Sequence, residues 1–193
     1  MNPWLAKTIV LLGSVVMIAI RHPHEKRSHE VKVVKSRKGA IEIALMTLVG
    51  MGCLLPFIWI VTPVLAFADY PLRPIPLIAG TCGVVLGLWL FYRSHADLGA
   101  NWSTTLEVRE KHQLITRGVY RHIRHPMYSA FLLHSGGQAL LLPNWVAGLS
   151  YAVAFALLFA FRVGPEERMM LEEFGKDYEA YSARAKRLVP GLW

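Results

Sequence analysis

Gly118-Val119-Tyr120-Arg121-His122-Ile123-Arg124-His125-Pro126-Met127-Tyr128 leads into an apolar run, a Pro143-Asn144 turn, a second apolar run, and then Arg162-Val163-Gly164-Pro165-Glu166-Glu167. The chain leaves water at Tyr128 and returns at Arg162. The two polar clusters therefore lie at the same face of an apolar hairpin. The first offers imidazoles, a phenol and backbone amides; the second offers a guanidinium and two carboxylates. A polar pocket at the edge of a bilayer is the feature that the rest of the sequence must build.

Composition agrees with a bilayer. Of 193 residues, 54% are hydrophobic and only 18% are charged, a balance that soluble domains of this length rarely show. The length predicts one domain. The net charge of +8 would suit nucleic acid, but its basic residues are spread between apolar runs and form no single basic surface. Cys53 and Cys82 both lie inside apolar runs, which argues against a disulfide framework.

Residues 3–20 form an apolar run of 18 residues, enough to span a hydrocarbon core of roughly 30 Å as a helix. Its basic flank follows it and no small-residue cleavage site appears, so a retained span is favoured over a signal peptide. Residues 21–38 read as a basic loop, with His22 and His24 as loop residues on either side of Pro23. Such a loop also suits anionic lipid headgroups. Residues 41–68 hold one kinked span ending near Pro63, opened by Glu42. Residues 75–92 give a third span. Its Gly80, Gly83 and Gly87 share a face suited to close helix packing. Residues 128–142 are only 15 long, a marginal span, and 145–163 run back.

Pro165 fits the first turn of a new helix, which would put Glu166 and Glu167 at its positive end. Gly175 can end that helix. Residues 177–185 read as a short amphipathic helix with Tyr178 and Tyr181 on one side. The expected fold is thus all-α and polytopic, with about five transmembrane helices. The chain is one domain: three helices over 1–92, and a catalytic region over 93–193 with the hairpin and C-terminal amphipathic helices. All Lys and Arg except Lys7 and Arg73 follow spans one, three and five. That bias places the N-terminus outside and every chemical motif on the cytoplasmic side.

His112, His122 and His125 raise the question of a metal. The spacing lacks the two-histidine helix pattern of metalloproteases and no cysteine is near, so no metal is expected. Arg162 ends a span; it can snorkel to the interface or grip a carboxylate through two parallel hydrogen bonds. Glu166 faces the same way if the helix runs through Pro165. It can then pair with Arg162 or bind a cationic amine, and the residues alone leave both open. His134 and Gln138 share a face, where an interhelical hydrogen bond is the favoured reading. Paired strands, a Gly-rich nucleotide loop and a serine nucleophile elbow are not evident.

Taken in order, Gly118-Val119-Tyr120, Arg124-His125-Pro126 with Tyr128, Arg162 with Glu166, Glu172-Glu173-Phe174-Gly175 with Tyr178 and Tyr181, and Arg187-Leu188-Val189-Pro190 resemble the isoprenylcysteine carboxyl methyltransferase family, in its compact prokaryotic form. The resemblance covers roughly residues 93–193. It implies an integral membrane enzyme that uses S-adenosylmethionine to methylate the carboxylate of a lipophilic substrate such as a prenylated cysteine. It implies a cofactor pocket of Glu107, His112, Leu114, Ile115, Tyr120, His125, Pro126, Met127, Tyr128 and Glu166. Arg162 is implied as the residue that meets the substrate, and Arg162 and Glu166 as the catalytic pair. The implied partners are membrane lipids and a substrate drawn from the bilayer. A phospholipid or small-amine N-methyltransferase, a sterol-type reductase and a non-catalytic lipid-binding protein are the alternatives.

Overall fold

A computed structural model describes residues 3–29, 33–36, 39–99, 102, 107–109 and 113–192, with the backbone alone at 3, 28, 29, 33–36 and 107–109. The fold is all-helical: α1 (Pro3–His29), α2 (Ala40–Val61), α3 (Pro74–Leu98), α4 (Pro126–Leu141), α5 (Trp145–Phe174) and α6 (Lys176–Arg184). A small ribbon accompanies them, β1 (Val33–Ser36) and β2 (Glu107–Arg109). Among the described residues four helices, α1, α2, α3 and α5, are long and apolar enough to cross a membrane. Their outward faces carry side chains such as Ile75, Val61 and Ile41, each more than two thirds exposed, which a hydrocarbon surround would cover.

Helix α4 is not one of these four. Its 16 residues rise only about 24 Å, less than a hydrocarbon core. It still joins the two faces of the bundle. Its start lies beside the end of α3, where Asp97 Oδ2 accepts from Val119 N at 2.9 Å. Its far end is tied to the short connection after α2: Tyr70 N donates to Pro143 O at 2.9 Å. The fully buried Asn144 donates to Leu65 O at 2.6 Å and Asp69 Oδ1 at 2.7 Å. The same side chain caps α5, its Oδ1 accepting from Val146 N and Ala147 N at 3.0 and 2.8 Å.

Helix α4 reaches its place through glycine. A Cβ at Gly80 would meet Gly137 O at 2.7 Å, and one at Gly87 would meet His134 N at 2.8 Å. The α3–α4 backbones thus touch, as the glycine spacing in α3 anticipates. Helix α2 leans on α5 at Gly52, where a Cβ would meet Ser150 O at 2.9 Å and where Ser150 Oγ donates to Gly52 O at 3.0 Å.

Several expectations need correction. Helix α1 does not stop near residue 20 but runs through Pro23 to His29, so His22 and His24 are helical. The extra turns are held by packing: Arg21 lies 5.5 Å over the Trp102 ring and His24 stacks 4.9 Å from His95. Pro165 does not begin a helix. It sits inside the continuous α5, so Glu166 and Glu167 do not lie at the N-terminus of their own helix; they meet instead the start of α4 at His125. The local cost of an interior proline is about 3 kcal/mol, and contacts made by both glutamates hold the helix together there. Strands do pair: Val33 lies opposite Arg109 and Ser36 opposite Glu107, antiparallel. This ribbon joins the connections after α1 and α3 at one face of the bundle. His134 Nδ1 and Gln138 Nε2 are buried and find no hydrogen-bond partner among the described residues, so the interhelical bond expected there is not formed by those atoms.

Candidate active site

Four local devices set the first polar cluster in place. Gly118 has φ +60°, a conformation side chains rarely adopt, and Asp97 occupies the space a Cβ would need. Tyr181 of α6 donates its hydroxyl to Tyr120 O at 2.7 Å. The chain after α6 then runs alongside the cluster: Arg124 N donates to Lys186 O at 2.6 Å, His125 N to Arg187 O at 3.0 Å, and Ser129 Oγ to Leu188 O at 2.7 Å. Pro126 opens α4, where its missing N–H costs nothing.

These devices drive His125 into the bundle, 5% exposed, while His122 stays exposed. The imidazole stands between two carboxylates of α5. Its Nδ1 lies 3.5 Å from Glu166 Oε1 and its Nε2 3.2 Å from Glu167 Oε1. Burial opposes charge on this ring, but the hydrogen bonds and fields of Glu166 and Glu167 outweigh it and raise the His125 pKa above its usual value. With both nitrogens protonated, the ring can donate to both acids at once.

The two glutamates have different company. Glu167 accepts from Arg124 Nε and Nη2 at 3.1 and 2.9 Å, and from Arg187 Nη2 at 2.8 Å. Arg124 also donates from Nη1 to Ser182 O at 3.0 Å and to Ala185 O. Glu167 is therefore the knot that ties the first cluster, α5 and the C-terminal segment. Glu166 faces the bundle interior, accepting from the Tyr128 hydroxyl at 2.7 Å. Its Oε2 lies 4.0 Å from Arg162 Nε, and Arg162 Nη1 lies 3.8 Å from Glu42 Oε1 of α2. Because α5 is continuous, Arg162 and Glu166 do share a face, one turn apart.

Arg124, His125, Tyr128, Arg162 and Glu166 border one cavity of about 400 Å³. Leu114, Ile115, Tyr120, His125, Pro126, Met127, Tyr128, Arg162 and Glu166 all line it, so nine of the residues expected at the site converge. Glu107 lies in β2 with its side chain outside the described residues, and His112 lies outside them altogether. The cavity continues away from the charges along Met46, Val49 and Cys53 of α2 and Tyr151, Phe155 and Leu158 of α5. One end is thus ionic and the other is hydrocarbon and aromatic. Burial raises the phenol pKa of Tyr120 and Tyr178, and that of Tyr181 to about 12, so these groups stay protonated.

Glu167, Arg187, Glu42 and Trp102 join the site without having been singled out as site residues in the sequence. Trp102 Nε1 lies 3.3 Å from Met127 Sδ and its ring lines the cavity. The signal for Glu167 was present, since Arg124 and Arg187 are cations within the site motifs and Glu167 is the free acid beside Glu166. Glu42 left no local signal, because its partner Arg162 is 120 residues away.

Fold and site together define a polytopic helical membrane protein with a charged pocket sunk at one end of the bundle and an apolar extension into it. Residues 78–172 match the pattern of the isoprenylcysteine carboxyl methyltransferase (ICMT) family. The chain is 34% identical over 113 residues to protein-S-isoprenylcysteine O-methyltransferase B of Arabidopsis thaliana, a match covering 58% of this chain and 57% of that protein. It is 31% identical over 115 residues to the Homo sapiens protein-S-isoprenylcysteine O-methyltransferase, covering 58% of this chain and 40% of that one. The chain thus spans about half the length of the relatives it matches. The solved structure of the eukaryotic intramembrane Ras methyltransferase ICMT superposes with a TM-score of 0.57 at 24% identity, covering 81% of this chain and 55% of that one, which supports the fold. These likenesses agree with one another: across residues 78–172 the chain is similar to the isoprenylcysteine carboxyl methyltransferase family.

Proposed function

We propose that this protein transfers a methyl group from S-adenosylmethionine to the carboxylate of a lipophilic substrate of the prenylated-cysteine type, at the cytoplasmic face of a membrane. The observation that carries the reading is the position of Arg162. Its guanidinium lies where the ionic end of the cavity meets the apolar extension, so a ligand with an anionic head and a hydrocarbon tail can satisfy both at once. The names of the relatives point the same way.

The residues present fit the cofactor. Glu166 and Tyr128 offer acceptors for a cationic amine. Tyr178 hydroxyl and His95 Nε2 line the same cavity and have no hydrogen-bond partner among the described residues. Bound there, S-adenosylmethionine would supply an electrophilic methyl on sulfur with a neutral thioether as leaving group. A carboxylate is already a nucleophile at neutral pH, so no general base is required. No residue of this chain would have to take or give a proton in such a transfer. The protein's task is alignment and exclusion of water, and holding two reactants in line can supply roughly 7–11 kcal/mol. Arg162 would hold the anion by its two-point fork. His125 would steady Glu166. Met46, Val49, Cys53 and Phe155 would take the tail.

The cytoplasmic assignment rests on charge. The ribbon of β1 and β2, the His125 cluster and the segment after α6 share one face, and nearly all Lys and Arg belong to that face.

The test is methyl transfer by purified protein from radiolabelled cofactor, offered farnesylcysteine analogues beside total lipid extract, with calorimetry of cofactor binding. Base-labile methyl ester on the cysteine analogue is expected. Label confined to amine headgroups would instead establish the N-methyltransferase alternative. His125→Ala and Glu166→Ala should each weaken cofactor affinity about 10- to 150-fold, the value of a buried hydrogen bond to a charged group.

A further inference from the structure

Arg162 is flanked by carboxylates from two different helices. Glu166, one turn along α5, lies at its Nε edge at 4.0 Å. Glu42, from the first turn of α2, lies at Nη1 at 3.8 Å. The Glu42 and Arg162 side chains are only 10% and 11% exposed, so water screens this pair poorly. Met46, one turn further along α2, sets its sulfur 3.9 Å from the same Nη1.

We infer that Glu42 is a positioning residue for the substrate carboxylate, acting through Arg162. This rests on the proposed carboxyl methyl transfer and adds a member to its site from a helix outside the matched segment 78–172. The argument is geometric. A guanidinium is planar and grips a carboxylate in two-point fashion only when its plane is fixed. A single acid on its own helix leaves the long side chain free to turn about its stem. Acids near Nε and near Nη1, at 4.0 and 3.8 Å, draw the plane from two sides by charge, at distances longer than a hydrogen bond. Glu42 further ties the cytoplasmic end of α2 to α5, while Ser150 and Gly52 tie the two helices again near the middle of α2. The apolar wall built by Met46, Val49 and Cys53 is therefore registered to the same cation that meets the substrate head. Head and tail recognition then depend on one contact.

The experiment measures Glu42→Gln and Glu42→Ala beside unmutated protein in detergent micelles. Three readouts are taken: kinetics with a farnesylcysteine-type acid, binding of that acid against its neutral methyl ester, and calorimetric cofactor affinity. The expected result is a rise in acid KM on the order of tenfold, a weakening of acid binding by a similar factor, and unchanged ester and cofactor binding. A double variant, Glu42→Gln with Arg162→Lys, should lose little more acid binding than Arg162→Lys alone, because the first acts through the second. Equal loss of acid and ester binding would overturn the inference in favour of a purely structural α2–α5 tie. Unchanged acid binding would overturn it outright. Unmutated protein that binds acid and ester alike would fail the functional reading first, and the Glu42 inference with it.

Discussion

His125 Nε2 lies 3.2 Å from Glu167 Oε1, and that contact couples the start of α4 to the last turns of α5. The same Glu167 carboxylate gathers Arg124 and Arg187, so one acid fixes the loop, the helix and the C-terminal segment around the cavity. Its neighbour Glu166 is left to face the cavity. The division between a structural and a ligand-facing glutamate follows from the helix running on through Pro165.

Glu167→Gln keeps the volume of the side chain and removes its charge, leaving two guanidinium groups beside a half-buried amide. Hydrogen bonds to charged groups are worth about 1.5–3 kcal/mol, and the partial exposure of Arg187 argues for the lower end. The thermal midpoint in detergent should fall by roughly 5 °C. An unchanged midpoint would show that the three segments are held by the tail's backbone hydrogen bonds alone.

The pH dependence of stability should carry the signature of His125. Its folded pKa is raised above the ordinary value of 6.5 by Glu166 and Glu167. Stability from its charged form is therefore fully present below the unfolded value and is lost as pH rises through the folded value. His125→Gln retains a hydrogen-bond donor but not the charge. The gap in thermal midpoint between unmutated protein and this variant should be widest near about pH 6 and narrow as pH rises. A gap that widens toward high pH would mean that the ring is neutral in the fold.

Topology can be read by labelling. With Cys53 and Cys82 replaced by alanine, single cysteines are placed at His22 and Pro71, both exposed and both changing no Lys or Arg. A membrane-impermeant maleimide should reach them from opposite sides of sealed vesicles, with position 22 cytoplasmic. Labelling from the same side would remove the five-crossing arrangement.

Much of this fold was legible because hydrocarbon imposes simple rules. Length and hydropathy located α2 and the cores of α1, α3 and α5, and the glycines of α3 announced a close-packing face, without saying which helix it meets. Gly175, at φ +51°, ends α5 where a glycine would be expected to. What misled was proline. Pro23 and Pro165 read locally as breaks, yet both helices continue, because Arg21 and His24 pack on Trp102 and His95, and because the glutamates after Pro165 are gripped by four side chains. Tertiary contacts overrode local preference at both points. The site residues within one stretch were named through their resemblance to the family's motifs, not through spacing. The partnership of Glu42 with Arg162 depends on α2 meeting α5, which no spacing reports.

Arg162→Lys separates the roles open to this cation. If the guanidinium holds the substrate carboxylate, lysine keeps the charge but loses the planar two-point grip. A nucleophile displaced by about 1 Å from the line of attack can cost on the order of 100-fold in rate. Turnover should therefore drop steeply and acid KM should rise, while calorimetric cofactor affinity stays near normal, because Glu166 keeps Tyr128 and His125 as partners. If Arg162 served only to brace Glu166 across 4.0 Å, cofactor affinity would fall in step with turnover. If it served only as an interfacial anchor, lysine would replace it with little loss, since both side chains reach out along apolar stems. The 11% exposure of the Arg162 side chain, between two carboxylates and at the mouth of the apolar extension, favours the first outcome over the anchor. The measurement is kcat and acid KM for Arg162→Lys beside cofactor affinity on the same preparation, and near-normal turnover in that variant would defeat the carboxylate clamp.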